Sequence, residues 1–314
     1  MADTAQTWRP LEVDPGSAGV PASPEGLAEF LRGQDVTELL TREKAVVFRG
    51  FGTGAEPAPY DMAADLLLPN RLAYVHGNSP RTKVGRNVYT STEYPAEFEI
   101  SMHNEMSYSH TWPRRILFCC AYPAATGGAT PVVDGALWLA SLDPEVRAAF
   151  ASGVRYTQNL HDGMGFGKSW QATFETEERD GAEAFLDGTD AQWRWLADGS
   201  LRIGRTAPAT VEHPVTGTEV WFNQADQWHP AGLGEEAALL AEMLPEDELP
   251  QSVCFADGSP IPAEYITHVQ ETGLRLAVDV DWRRGDLLLV DNVAAAHGRR
   301  PYTGERRVLV AMSD

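Results

Sequence analysis

Leu287-Leu-Leu-Val-Asp-Asn-Val-Ala-Ala-Ala-His297-Gly-Arg-Arg-Pro-Tyr-Thr-Gly-Glu-Arg306-Arg-Val-Leu-Val-Ala-Met312 is the stretch that decides the fold of this chain. It opens on four apolar residues, too few for a helix and unbroken by polar alternation, which reads as a buried strand (Leu287 to Val290). Gly298, Pro301 and Gly304 then punctuate a turn region, and Val308 to Met312 reads as a second strand. Short apolar strands joined by glycine and proline turns are the signature of packed β-layers.

Similar pieces recur upstream: Ala45 to Phe48, Asn87 to Thr90, Ile116 to Ala121, Thr130 to Val133 and Glu219 to Phe222. Helical spacing appears at Glu25 to Leu40, Tyr60 to Leu68, Leu137 to Ala151, Gly181 to Trp195 and Gly234 to Leu244. Long, irregular insertions between strands do not suit a doubly wound parallel sheet, and no P-loop or dinucleotide fingerprint is present. Gly163-Met-Gly-Phe-Gly167 lacks the strand-to-helix setting of such a motif and reads as loop. The expected fold is mainly β with helices, a β-sandwich or jelly roll. Residues 1–43 form a lead and helix packed on the core, and 44–314 form one domain with a helical and loop insertion around 137–215.

Composition narrows the function classes. The 314 residues are 43% hydrophobic and 22% charged, enough apolar matter to bury a core. Acidic residues exceed basic ones to give a net charge of −20, which repels nucleic-acid phosphates and anionic membranes. No apolar run approaches the ~20 residues of a membrane helix, and the first residues lack the pattern of a secretion signal. Three cysteines, two adjacent at Cys119-Cys120, make no disulfide framework and read as buried hydrophobes. The expectation is a soluble, cytoplasmic protein.

Eight histidines and 45 acids in this length predict about one His-x-acid match by chance, so His103-Asn-Glu105 alone carries no weight. Its setting does. On a strand, residues i and i+2 share a face, so His103 and Glu105 can bind one metal from a single wall. His297, just beyond the Leu287 strand, is the best placed third ligand. Together they make a 2-His-1-carboxylate set that suits non-haem Fe(II) and leaves positions open for a cosubstrate and O2. His110, His161, His213, His229 and His268 have suitable chemistry in less informative settings.

Iron of this type works with an electron-donating keto acid such as 2-oxoglutarate, whose far carboxylate needs a fixed cation. Arg306 and Arg307 precede the last strand; neighbours on a strand face opposite ways, so one of them can enter the barrel. Thr130, in Gly127-Gly-Ala-Thr130, offers a hydroxyl partner.

These motifs, in this order, resemble the TauD/TfdA superfamily of Fe(II)/2-oxoglutarate-dependent dioxygenases, and within it the SyrP-like amino-acid hydroxylases. Val47-Phe-Arg-Gly-Phe51, Ser169-Trp-Gln-Ala-Thr-Phe174 and Val220-Trp-Phe-Asn-Gln224 add to the likeness. The resemblance implies a double-stranded β-helix, His103, Glu105 and His297 as iron ligands, and Thr130 with Arg306 on 2-oxoglutarate. The family's ending favours Arg306 over Arg307. Related halogenases replace the carboxylate ligand by a small residue, so Glu105 points to hydroxylation, with desaturation or cyclisation as variants. The substrate implied is an amino acid or its derivative, free or presented by a carrier protein. Asn223, Gln224, Arg299 and His161, the last in the Asn159 to Trp170 loop, are the candidate substrate contacts. A zinc hydrolase would leave Thr130 and Arg306 without a task, and a non-catalytic jelly-roll binding protein would not need the complete set.

Overall fold

The computed structural model describes residues 8–53, 57–72, 82–85, 87–91, 94–163, 167–233, 241, 243–245 and 248–314. The deciding stretch forms three long strands: Leu287–Asp291, Ala295–Arg299 and Arg307–Ser313. His297 does not follow the first strand as expected; it lies inside a strand of its own. The turn at Asn292 to Ala294 carries the chain from one sheet to another, and so divides the stretch between two layers.

The larger sheet has seven strands, ordered Leu11–Val13, Ala45–Phe48, Leu287–Asp291, Arg115–Tyr122, Arg307–Ser313, Val88–Thr90 and Lys83–Gly85. The facing sheet has four: Val278–Val280, Thr130–Asp134, Ala295–Arg299 and Ile100–His103. Val47, Phe118, Leu288, Val290, Val308 and Val310 point between the sheets and meet Val132 and Ala295 there. Val46, Leu117, Leu287, Leu289 and Leu309 point the other way, beneath the helices Pro24–Arg32, Val36–Glu43 and Pro57–Leu67. Burial on both faces explains why Leu287-Leu-Leu-Val290 is continuous rather than alternating. Leu27, Leu39 and Leu67 seal the outer layer, each worth about 1.5–3 kcal/mol over exposure.

Several expected boundaries shift. The lead does more than pack on the core, because Leu11–Val13 pairs in parallel with Ala45–Phe48 as an edge strand. The helix read from Glu25 to Leu40 is two helices: Gly33 closes the first, and the Asp35 carboxylate caps the second by accepting from Thr37 and Glu38 N–H. The Leu137 to Ala151 helix likewise divides into Gly135–Ser141 and Pro144–Phe150. Gly181 to Trp195 is helix only to Asp187; after Gly188 the chain turns into the strand Gln192–Trp195. Most of the helix expected at Gly234 to Leu244 lies outside the described residues, as does the centre of the Gly163 to Gly167 loop.

Thr130–Asp134 pairs with Val278–Val280, so everything from 135 to 277 is an excursion between two neighbouring strands. It runs well past the boundary expected near 215. A second antiparallel sheet dominates it, ordered Gln192–Trp195, Leu201–Ala207, Val154–Leu160 and Gln251–Phe255. The helix Ala263–Leu276 returns the chain to the sandwich.

Candidate metal centre and cosubstrate pocket

His103 and His297 stand directly opposite each other across an antiparallel pair, with ring centroids 4.4 Å apart. The register shifts between His297 and Arg299. Gly298 permits this close approach, since a Cβ there would lie 2.5 Å from the Ile100 carbonyl oxygen. Glu105 follows the His103 strand, and a buried asparagine clamp holds it in place. Its backbone N–H donates to Asn292 Oδ1 at 2.7 Å, while Asn292 Nδ2 donates to the Glu105 and Pro113 carbonyls at 3.0 and 2.8 Å. Asn104 Nδ2 completes the clamp by donating to the Asn292 carbonyl at 2.7 Å.

Ligand atoms of His103, Glu105 and His297 consequently lie within 4.8 Å of one another, and all three residues are buried. His297 Nε2 and Glu105 Oε2 are 4.0 Å apart. His103 Nδ1 sits 2.9 Å from the Ser101 carbonyl, so Nδ1 carries the proton and Nε2 keeps its lone pair for a metal. Gln227 Nε2 donates to the same carbonyl at 3.2 Å and buttresses it. Asp226 lies in this layer too: burial pushes its carboxyl up, while hydrogen bonds from Ser101 and Gln270 pull it back.

Beside the cluster is a pocket whose walls include Ile100, Phe118, Thr130, Arg299, Arg306 and Val308. Burial lowers the Arg306 guanidinium to about 10, and the neighbouring Arg299 charge adds to the effect. Arg306 Nε donates to the Gly128 carbonyl at 3.0 Å. Gly128, at φ 74°, leaves the room: a Cβ there would meet Arg306 Cδ at 3.0 Å. Two guanidinium groups in one pocket, Arg299 buried and Arg306 half-buried, with no acid among the described lining residues, favour an anion between them. Arg307 takes the opposite face of the strand and is exposed, so of the two arginines only Arg306 lines the pocket. Thr130 Oγ1 accepts from Trp282 Nε1 at 3.0 Å, which frees its own hydroxyl proton to be donated inward.

The four expected substrate contacts all have partners within the protein. Arg299 donates to the carbonyls of Tyr94, Pro95 and Phe98 at 2.8, 2.6 and 2.8 Å, so it braces a loop as well as lining the pocket. Asn223 donates to the Ala209 carbonyl and accepts from Ala225 N–H. Gln224 donates to the Asn104 carbonyl at 3.0 Å, which supports the ligand segment from behind. His161 Nε2 faces the Gly167 carbonyl within its own loop at 3.3 Å.

Other histidines have structural partners. His213 Nε2 is 2.9 Å from Asp291 Oδ2, and Asp291 in turn caps the Val293 and Ala294 N–H groups of the crossing turn. His229 faces the Ile261 carbonyl, and His268 accepts from Asp143 N–H. Sequence reading missed Asn292, Trp282 and Gln227. Only Asn292 carried a signal, a polar residue between an apolar strand and the His297 segment.

The taurine catabolism dioxygenase TauD, TfdA family matches residues 12–312. Dapdiamide synthesis protein DdaC of Enterobacter agglomerans is 35% identical over 295 residues, covering 93% of this chain and 88% of that protein. A clavaminate synthase-like protein of Arabidopsis thaliana is 28% identical over 317 residues, covering 96% and 93%. Among solved structures, PvcB of Pseudomonas aeruginosa shares the fold at a TM-score of 0.52 and 14% identity, covering 98% of this chain and 87% of that one. PvcB is described as an Fe, alpha-ketoglutarate dependent oxygenase from an isonitrile synthetic pathway. No helix among the described residues is long and apolar enough to cross a membrane.

Proposed function

The chain belongs to the TauD/TfdA dioxygenase family, and from that premise we propose that it is an Fe(II)- and 2-oxoglutarate-dependent oxygenase of specialised metabolism. Its reaction is hydroxylation of a C–H bond in an amino-acid-derived substrate, with succinate and carbon dioxide as coproducts. The observation that carries this reading is the convergence of two imidazoles and one carboxylate within 4.8 Å, beside a pocket that Arg306 lines. The donor set fits Fe(II), because two nitrogens and one oxygen on one side leave the other side for ligands. The place of DdaC in dapdiamide synthesis and of PvcB in an isonitrile pathway supports the specialised-metabolite setting.

When bound, iron and 2-oxoglutarate supply the dioxygen activation that this chemistry needs. The chain's own residues do the rest. His103, Glu105 and His297 hold the ion by one face. Arg306 receives the distal carboxylate of 2-oxoglutarate, and Thr130, oriented by Trp282, donates its hydroxyl proton to the same group. Ile100, Phe118 and Val308 keep that end of the pocket apolar, which strengthens the ion pair. Glu105 fills the ligand position that a halide would need, which supports oxygenation over halogenation.

The test is mass spectrometry after incubation with Fe(II), ascorbate, 2-oxoglutarate and a panel of free and carrier-bound amino acids. Product carrying one oxygen from labelled dioxygen, with matching succinate, is expected. Chlorinated product, or turnover indifferent to 2-oxoglutarate, overturns the proposal.

A further inference from the structure

Between the excursion 135–277 and the segment Tyr108 to His110 lies a second pocket, apart from the one that Arg306 lines. It is a cleft open to solvent, with tyrosine, phenylalanine and tryptophan side chains in its walls. Two hydrogen-bonded links tie it to the ligand segment. Its wall residue Tyr156 accepts from Gln224 N–H, and Gln224 grips the Asn104 carbonyl. Its wall residue Trp228 follows Gln227, which grips Ser101 beside His103. Tyr108, three residues beyond Glu105, forms the near side and packs on both Tyr156 and Trp228.

The chemistry of the lining is one-sided. In a chain of net charge −20, no described residue lining this cavity is acidic, and apart from tyrosines its titratable groups are Arg205 and His110. Arg205 stands directly across from Tyr156 on paired strands, with Ile203 and Gln158 opposed on the same face. Its Nε donates to Asp190 Oδ1 at 2.8 Å and its Nη1 to the Tyr108 carbonyl at 3.3 Å, and among the described residues Nη2 has no hydrogen-bond acceptor. Asp190 is outside the lining; the Arg205 hydrogen bond holds its carboxyl below the usual range, so it backs the guanidinium as a fixed counter-charge. A planar fork held from behind, with its remaining donors turned to an aromatic cavity, is suited to a carboxylate.

Resting on the proposed oxygenase reading, we propose that this pocket takes a free, amino-acid-derived carboxylic acid, with its carboxylate seated on Arg205 and assisted by His110. A substrate joined to a carrier through that same carboxyl group would arrive as a thioester, without the charge that Arg205 is placed to meet. The geometry therefore favours the free over the tethered form.

The experiment reads binding, not turnover. Tryptophan fluorescence, to which Trp228 contributes, is titrated with a panel of N-acetyl amino acids, their methyl esters and their pantetheine thioesters. The full chain is used both metal-free and loaded with manganese(II). At least one acid should bind about tenfold or more tighter than its ester and thioester, the scale of one charge-assisted hydrogen bond. Arg205→Gln should abolish that difference by weakening the acid alone, and Arg205→Lys should keep part of it. Circular dichroism and unchanged ester binding establish that the variants fold. Ester or thioester binding as tight as the acid, a difference that survives Arg205→Gln, or no binding by any acid overturns the proposal. Metal and 2-oxoglutarate binding, measured in parallel, should not respond to Arg205→Gln. Their failure in the wild-type chain would instead overturn the oxygenase reading, so the two failures are told apart by which ligand is lost.

Discussion

Around His103 and His297 the groups that meet are fixed by strand register, with each imidazole opposite the other, Thr130 on a flanking strand and Arg306 just before a strand of the facing sheet. Around Arg205 the walls come from the loop after Glu105, the sheet of the excursion and the helices Trp170–Phe174 and Arg179–Asp187. The first region places groups by a period of two, which leaves short, fixed motifs in the sequence. The second places them by packing pieces distant in sequence, which leaves none. One site can therefore keep its chemistry while its substrate changes, because the two requirements are written in different parts of the chain.

The sharpest way to break this contrast is to remove one strand-borne ligand. His297→Ala or His103→Ala should abolish stoichiometric iron binding in calorimetry and stop turnover, because two remaining ligands hold the ion weakly. Wild-type affinity in either variant would mean that register does not build the site. Next in size is Arg306→Ala, which should raise the 2-oxoglutarate requirement by the equivalent of about 2–5 kcal/mol while metal binding survives. Arg307→Ala, on the exposed face, should leave that requirement unchanged; the reverse result would place the strand one residue out of register.

Asn292→Ala tests whether the clamp or the strand places Glu105. Metal affinity should fall by about 10–100-fold, the usual scale for a group that orients a ligand. Asn223→Ala, equally buried, should lower the melting temperature without that loss. Smaller still, Trp282→Phe removes one neutral hydrogen bond to Thr130, worth about 0.5–1.5 kcal/mol, and should cost a few-fold in the 2-oxoglutarate requirement at most. No effect is expected from thiol reagents near pH 8. Burial pushes Cys119 and Cys120 to about 12, so the native chain should resist alkylation until denaturant is added.

Legibility followed the same divide. His103, Glu105, His297, Thr130 and Arg306 stood out because strand alternation and turn glycines constrain neighbours only a few residues away. Arg306 over Arg307 followed from that alternation together with the family's ending. The tryptophans at 193 and 195 misled the helix reading, since they pack against the excursion's small core at strand spacing. Arg299, Asn223 and Gln224 looked like substrate groups because they are polar near the motifs. Each also holds backbone carbonyls, and partners so far away in sequence are invisible to local reading. Arg205 carried no local signal, since its meaning depends on Tyr108 and Asp190 from separate segments.

The asparagine clamp has a consequence for how the molecule is made. Asn104 and Asn292 meet across 188 positions of chain, and the excursion must be threaded out between two neighbouring strands before they do. Contacts of such separation close late, because the entropy of the intervening loop is lost before any contact returns it. Arg115–Tyr122 cannot be paired on both sides until Leu287–Asp291 and Arg307–Ser313 have arrived. During synthesis an imidazole and a carboxylate from the first third of the chain therefore wait as an open half-site, and the complete centre exists only once the sandwich has closed. A chain stalled or misfolded short of that point should lack a competent iron site, so incomplete molecules are poor sources of uncoupled oxidation.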